Sequence, residues 1–312
     1  VIGASPVAHK SFIKDRDINA EFLNKTDCYL PKATSLRVSK LGYYSEEQEQ
    51  KFINFNSLKD YLEIIKYYIN VPNKRFKEIE TKLTNPKQIN SGTIQMESEL
   101  YNHIRPKGEF TTNERQYNQL KKGGIKYLEL RSIDLNPYTP FGISQIEIEF
   151  LELLSIYCIL CGDEKIDPIE EIKIKENIRR ASESGQDCNL ICSFEKGDAE
   201  KSIEVLTQEL LESLESLSKA IGLKGNYKNM FKEFYRRNET PLSTQIIDDL
   251  SKNSIVNFIS SKSKKQNLNL SKEFLKKMSL EAKTSKKEYL DQQNRDKIDF
   301  ETFLENYRGE IN

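Results

Sequence analysis

Apolar positions recur in two rhythms along the chain. From residue 1 to about 143 they form short runs, broken by Gly3, Pro6, Pro31, Gly42, Pro72, Pro106, Gly123, Gly124 and Pro137. Punctuation of that density suits strands, short helices and long connections. One helix stands out within it. Leu58, Tyr61, Leu62, Ile65, Tyr68 and Ile69 recur at helical spacing between Ser57 and Pro72. The stretches 94–101 and 127–137 read as strands.

From residue 144 onward the spacing is helical. Ser144 with Glu147 forms a capping box, and Gly162 can end that helix. Asp167, with Pro168 at the first helical position, starts the next, and Gly185 follows it. Asp198 is expected to cap a long helix that carries Ile203, Leu206, Leu210, Leu214, Leu217 and Ile221 on one stripe up to Gly222. Tyr227, Met230, Phe231, Phe234 and Tyr235 mark a further helix. Residues 259–297 are rich in Lys, Ser, Asn and Gln and read as a polar helix or a loosely ordered segment. The expected class is therefore α+β, with a sheet-containing part over 1–143 and a mainly α-helical part over 144–312.

Composition narrows the function classes. The chain has 312 residues, 37% hydrophobic and 31% charged, enough for a substantial core. Its formal net charge is zero, so the global balance does not point to nucleic acid or an anionic membrane. No apolar run reaches the length of a membrane span. Five cysteines, an odd number, fit a reduced, cytoplasmic compartment. Cys158 and Cys161 make a C-x-x-C pair, but they sit in the apolar stretch that starts at Phe150. They are expected to be buried helix cysteines rather than zinc ligands. His9 and His103 are expected to be structural or solvent-facing. Neither G-x-x-x-x-G-K-[ST] nor G-x-G-x-x-G after a strand is present, so any nucleotide is held by other means.

The candidate chemistry centres on Tyr127-Leu128-Glu129-Leu130-Arg131-Ser132-Ile133-Asp134-Leu135-Asn136-Pro137. Residues two apart on a strand share a face, which puts Glu129 and Arg131 together, about 7 Å apart, with Leu128 and Leu130 on the opposite, core-facing side. A carboxylate can hold Mg²⁺ and a guanidinium can grip phosphate in a fork. Charged residues on an exposed sheet face are also commonly just solvated, and such a pair is weak.

Three other segments carry residues suited to an anionic substrate. They are Gly3-Ala4-Ser5-Pro6, then the run from Tyr29 to Arg37 (Y-L-P-K-A-T-S-L-R) with Tyr43 six residues on, and Glu99-Leu100-Tyr101-Asn102-His103-Ile104-Arg105-Pro106-Lys107. With G-G-I-x-Y-x-E-x-R-S-x-D-x-N-P from Gly123, their order and spacing resemble the bacterial form of glutamate–cysteine ligase. The detailed match covers roughly residues 1–160, and the helical remainder matches in general character only.

The resemblance implies part of an antiparallel active-site sheet of the glutamine-synthetase-like carboxylate–amine ligase type. It also implies an ATP- and Mg²⁺-dependent joining of the γ-carboxylate of glutamate to the amine of cysteine through γ-glutamyl phosphate, the first step of glutathione biosynthesis. Both steps concentrate negative charge and neither needs a protein nucleophile. On this resemblance Glu129 matches a magnesium ligand and Arg131 the arginine at the transferring phosphoryl group. Arg37 matches an arginine that holds glutamate, and Tyr43 and Tyr101 match tyrosines of the cysteine pocket. Arg105 and Lys107 lie in a matching motif and are assigned to phosphate or nucleotide. Taken alone, Tyr43 and Tyr101 also read as half-buried turn tyrosines, and Arg37 as a surface arginine.

Members of that family begin well before G-A-S-P, and that earlier part supplies most metal-ligating carboxylates. The chain is accordingly expected to be a C-terminal fragment, inactive and poorly stable alone, needing the missing part in cis or in trans. Two rivals stand beside this: another carboxylate–amine ligase of the same superfamily, and a non-catalytic helical remnant or subunit of a split ligase.

Overall fold

The computed structural model describes the chain except residues 1–2, 14–17, 43, 50, 83–87, 110–113, 163, 195–196, 224–226, 251–252, 266–269, 296 and 310–312. In chain order the elements are β1 (Val7–His9), β2 (Glu21–Phe22), β3 (Asp27–Tyr29), α1 (Glu46–Glu49), α2 (Leu58–Asn70) and α3 (Lys74–Lys82). They continue with β4 (Ile104–Lys107), α4 (Gln116–Gly123), β5 (Tyr127–Leu130), α5 (Gln145–Leu160), α6 (Pro168–Ser184), β6 (Asn189–Phe194) and β7 (Gly197–Ser202). The remainder is helical: α7 (Ile203–Ala220), α8 (Tyr227–Glu239), α9 (Leu242–Leu250), α10 (Ile255–Lys265), α11 (Lys272–Arg295) and α12 (Phe300–Gly309). The class is α+β, as the sequence indicates. The contacts divide the chain into two compact units, one of residues 1–56, 101–104 and 130–266, the other of residues 57–100, 105–129 and 267–312.

In the first unit β3 lies between β1 and β2, antiparallel to both, with Ala8 opposite Cys28 and Phe22 opposite Cys28. Val7 of this sheet packs with Leu242, Ile246 and Leu250 of α9 and Phe258 of α10. A second cluster joins α5, α7 and α8 through Phe150, Leu153, Leu211, Leu214, Met230 and Phe234. The rings of Phe150 and Phe234 stack with centroids 4.1 Å apart. Both members of the capping box are in place, since Ser144 Oγ accepts from the Glu147 N–H and Glu147 accepts from the Ser144 N–H. Asp167 accepts from the N–H groups of Ile169 and Glu170 and starts α6. Gly162 and Gly222 follow α5 and α7 at φ 105° and 62°, the left-handed region a side chain disfavours.

In the second unit α2 starts at Ser57, whose hydroxyl accepts from the Asp60 N–H, and it buries Tyr61, Leu62, Ile65, Tyr68 and Ile69. It packs against α4, which buries Tyr117 and Leu120. β4 pairs with β5, and the Lys126 N–H donates to the Lys107 carbonyl at 2.8 Å.

Several expectations are corrected. The stretch 94–101 is not a strand: Glu97–Glu99 forms a 3-10 turn, because Glu99 accepts from the Gln95 N–H and the Glu97 carboxylate is taken by Arg115 and the Tyr117 N–H. The strand expected over 127–137 ends at Leu130, and Leu128 and Leu130 are exposed rather than packed in a core. Cys158 and Cys161 are exposed. They lie past Leu153, where the burial of α5 ends, and Ile159 and Leu160 beside them are exposed too. Within the mainly helical part after residue 144, β6 and β7 form an antiparallel hairpin that the helical spacing does not indicate. The Asn177 side chain ties that hairpin to α6 by donating to the Ile191 carbonyl and accepting from the Ile191 N–H, both at 2.7 Å. Asp198 therefore lies in β7, and Ser202 caps α7 instead.

Candidate functional site

Arg37 sits at the end of a run of turns rather than on a regular element. The Thr34 and Ser35 N–H groups donate to the Ser182 carbonyl near the end of α6, and the Leu36 N–H donates to the Ser5 carbonyl at 2.6 Å. Ala33, Leu36 and Leu41 are buried beneath. Gly42 closes the turn so tightly that a β-carbon there would lie 2.1 Å from the Arg37 carbonyl oxygen. The backbone carrying Arg37 is thus held on both sides.

The guanidinium is held as well. Arg37 Nε donates to Asp134 Oδ1 at 2.7 Å, and Nη1 donates to the Arg131 carbonyl at 3.0 Å. The other Asp134 oxygen accepts from the Ala4 N–H at 2.9 Å. One buried carboxylate therefore joins three of the segments picked out by sequence: G-A-S-P, the Arg37 loop, and the R-S-x-D-x-N-P stretch. Arg131 is fixed through its backbone, its N–H donating to the His103 carbonyl at 2.8 Å. Burial, then the nearby Arg37 charge, holds the His103 imidazole below its ordinary 6.5. Arg37 Nη2 and Asn102 Nδ2 are buried without a hydrogen-bond partner among the described residues. Both are hydrogen-bond donors. Tyr101, half-exposed, donates its N–H to Gln48 at 2.9 Å.

Asn136, in the same stretch, donates to Glu147 Oε1 at 2.9 Å, and Arg237 Nη1 donates to the same oxygen at 2.7 Å. Burial pushes Glu147 up, but the Ser144 N–H, Arg237 and Asn136 outweigh it and leave the carboxyl below its ordinary range. This network ties the end of the motif to α5 and α8.

In the second unit the Lys107 ammonium lies 3.3 Å from Glu129 Oε2 and donates to Gln116 Oε1 at 3.0 Å. Arg105 is buried, and its Nη2 donates to the Ser98 and Leu100 carbonyls, each at 2.6 Å. Among the described residues no group of three or more His, Cys, Asp or Glu could hold a metal ion. Glu129 alone, facing a lysine, does not make a magnesium site. Tyr43 lies outside the described residues. Sequence reasoning passed over Asp134, Asn136 and Gly42. The signal for Asp134 was an acid among turn residues, between the strand and Asn136-Pro137.

The chain thus has an α+β fold in which Asp134 and the Arg131 carbonyl brace the Arg37 guanidinium. The glutamate–cysteine ligase family model matches residues 1–181. The chain is 36% identical over 251 residues to the glutamate–cysteine ligase of Wigglesworthia glossinidia brevipalpis, covering 78% of this chain and 49% of that protein. To the corresponding protein of Shewanella halifaxensis it is 33% identical over 264 residues, 82% of this chain and 50% of that one. The crystal structure of a glutamate–cysteine ligase from Francisella tularensis in complex with AMP superposes with a TM-score of 0.88 at 24% identity, covering 98% of this chain and 63% of that one. A bifunctional glutathione synthetase from Pasteurella multocida shares the fold more distantly, with a TM-score of 0.58 at 20% identity over 85% of this chain and 29% of that one. The chain belongs to the glutamate–cysteine ligase family. It spans about half the length of the curated relatives it matches.

Proposed function

We propose that the chain carries part of the machinery for ATP- and Mg²⁺-dependent joining of the γ-carboxylate of L-glutamate to the amine of L-cysteine, the committing step of glutathione synthesis, in the cytoplasm. The observation that carries this is the family match over residues 1–181, which includes every residue the motifs single out.

The roles follow from charge. Activating a carboxylate by phosphorylation and then displacing phosphate with an amine both gather negative charge, which fixed cations stabilise. Arg131 is assigned to the phosphoryl group in transfer, and Lys107 to phosphate. Arg37 is assigned to a glutamate carboxylate, the acceptor chemistry that its unmatched Nη2 suits. Tyr43 and Tyr101 are assigned to the cysteine pocket. Arg105, committed to two carbonyls, shapes the turn beside Lys107. Glu129 is assigned as one magnesium ligand; the rest of a magnesium shell is not among the described residues. AMP in the Francisella tularensis relative is consistent with adenine nucleotide as co-substrate here. Because the chain spans half its relatives' length, activity is assigned to the chain together with the remaining family segment, in cis or in trans.

The test is ADP formation that requires both glutamate and cysteine, in a fusion of this chain with the segment of a relative that it does not span. Equal activity with other amines would move the assignment to another carboxylate–amine ligase. A folded fusion that forms no ADP would favour a non-catalytic role.

A further inference from the structure

We infer that Asp134 is the positioning residue that aims Arg37 at a ligand carboxylate, an inference resting on the substrate reading above. A guanidinium is planar, so fixing two of its three nitrogens fixes the direction of the third. Here Nε is held by Asp134 and Nη1 by the Arg131 carbonyl, leaving Nη2 buried with no partner among the described residues. Asn102 Nδ2 shares that condition. Asn102 precedes His103, whose carbonyl holds the Arg131 N–H. A buried donor without an acceptor calls for one, and a carboxylate is the acceptor that a guanidinium nitrogen binds most strongly.

Asp134 owes its own placement to the Ala4 N–H, which binds its second oxygen. Its side chain is 1% exposed against 38% for that of Arg37. The acid is therefore the more buried, fixed partner of the pair. Asp134 touches no ligand in this arrangement; it acts through Arg37.

Asp134→Asn isolates the role. The amide keeps one oxygen for the Ala4 N–H and sets an NH₂ against Arg37 Nε, where two donors cannot bond. Two quantities are measured in this chain: binding of L-glutamate by calorimetry, and solvent protection of the Arg37 Nε–H by ¹⁵N NMR. Circular dichroism reports folding, and Asp134→Glu serves as the conservative variant.

In Asp134→Asn the protected Nε–H is expected to disappear and glutamate affinity to fall at least about tenfold, the loss of one charge-assisted hydrogen bond. Asp134→Glu is expected to restore part of both. In an Arg37→Ala background the Asp134→Asn change should have no further effect on affinity. Full affinity in Asp134→Asn overturns the inference, and so does an equal loss in the Arg37→Ala background, which would mark a purely structural acid. Should the wild-type chain bind no glutamate, the substrate assignment fails for this chain alone. The Nε–H signal then decides by itself, and its survival in Asp134→Asn overturns the positioning role.

Discussion

The Lys107 ammonium and the Glu129 carboxylate lie 3.3 Å apart, so the residue assigned to phosphate neutralises the residue assigned to metal. Both are partly exposed, at 23% and 34%, and such pairs add about 0–1 kcal/mol to stability. Replacing either should therefore move ligand binding rather than melting. In the active fusion, Lys107→Met is expected to raise the KM for ATP about tenfold. Glu129→Gln is expected to raise the Mg²⁺ concentration needed for half-maximal rate. Titrations of ATP and Mg²⁺ read both, and a large drop in melting temperature would show the pair to be structural instead.

Arg131 is held by its backbone on both sides, and the proposed reading assigns its side chain to the phosphoryl group in transfer. Removing one charge-stabilising donor typically costs about 10²–10³ in rate. Arg131→Ala in the active fusion is expected to lower kcat by at least that factor. Near-normal turnover would take Arg131 out of the mechanism.

The buried pair of Arg237 with Glu147 predicts stability and its pH dependence together. Their side chains are 6% and 3% exposed and 2.7 Å apart. Arg237→Met leaves the buried carboxylate unpaired and should cost about 3–5 kcal/mol in urea unfolding. The Glu147 carboxyl is held below 4.5 in the folded chain, so its contribution is present above pH 4.5 and is lost as pH falls through the lower folded value. Glu233, bonded to Arg236 and Arg237, is lowered to about 2 and acts in the same sense between pH 4.5 and 2. Wild-type stability is expected to decline with acid over that range. Glu147→Gln should be less stable at pH 7 and show a shallower decline. Parallel curves for the two proteins would remove Glu147 from the effect.

His103 offers a probe of the Arg37 cluster, since the chain contains only two histidines. Burial first, and Arg37 second, hold it below 6.5. As pH falls from 6.5 towards the folded value the unfolded chain binds more protons, so this residue lowers stability on acidification. In an NMR titration one histidine should titrate below 6.5, and Arg37→Met should move it upward while burial keeps it short of 6.5. An unmoved resonance would separate Arg37 from His103.

Much of the helical architecture is legible because its signals are local. The Ser57 cap, the Ser144–Glu147 box and the Asp167-Pro168 start act within one turn, and each begins its helix where the sequence places it. Misreadings arose where a distant partner decides. Glu97 belongs to a turn because Arg115 and Tyr117 claim its carboxylate, and strand-like spacing around it carries no trace of that. The β6–β7 hairpin was hidden by its helical neighbours, one of which, α6, holds it through Asn177. The motif residues are named from sequence order and spacing alone, without a fold. Asp134 stands in the same motif, but its role could not be read there, because it comes from meeting Ala4 and Arg37, 130 and 97 residues away.

The most direct test of the central claim is cysteine-dependent ADP formation. This chain, alone and fused to the family segment that it does not span, is supplied with ATP, Mg²⁺ and L-glutamate, with and without L-cysteine. We predict no cysteine-dependent ADP from the chain alone. From the fusion we predict ADP matched by an equal amount of γ-glutamylcysteine. A folded fusion that forms no ADP, or forms it at the same rate without cysteine, would contradict the account.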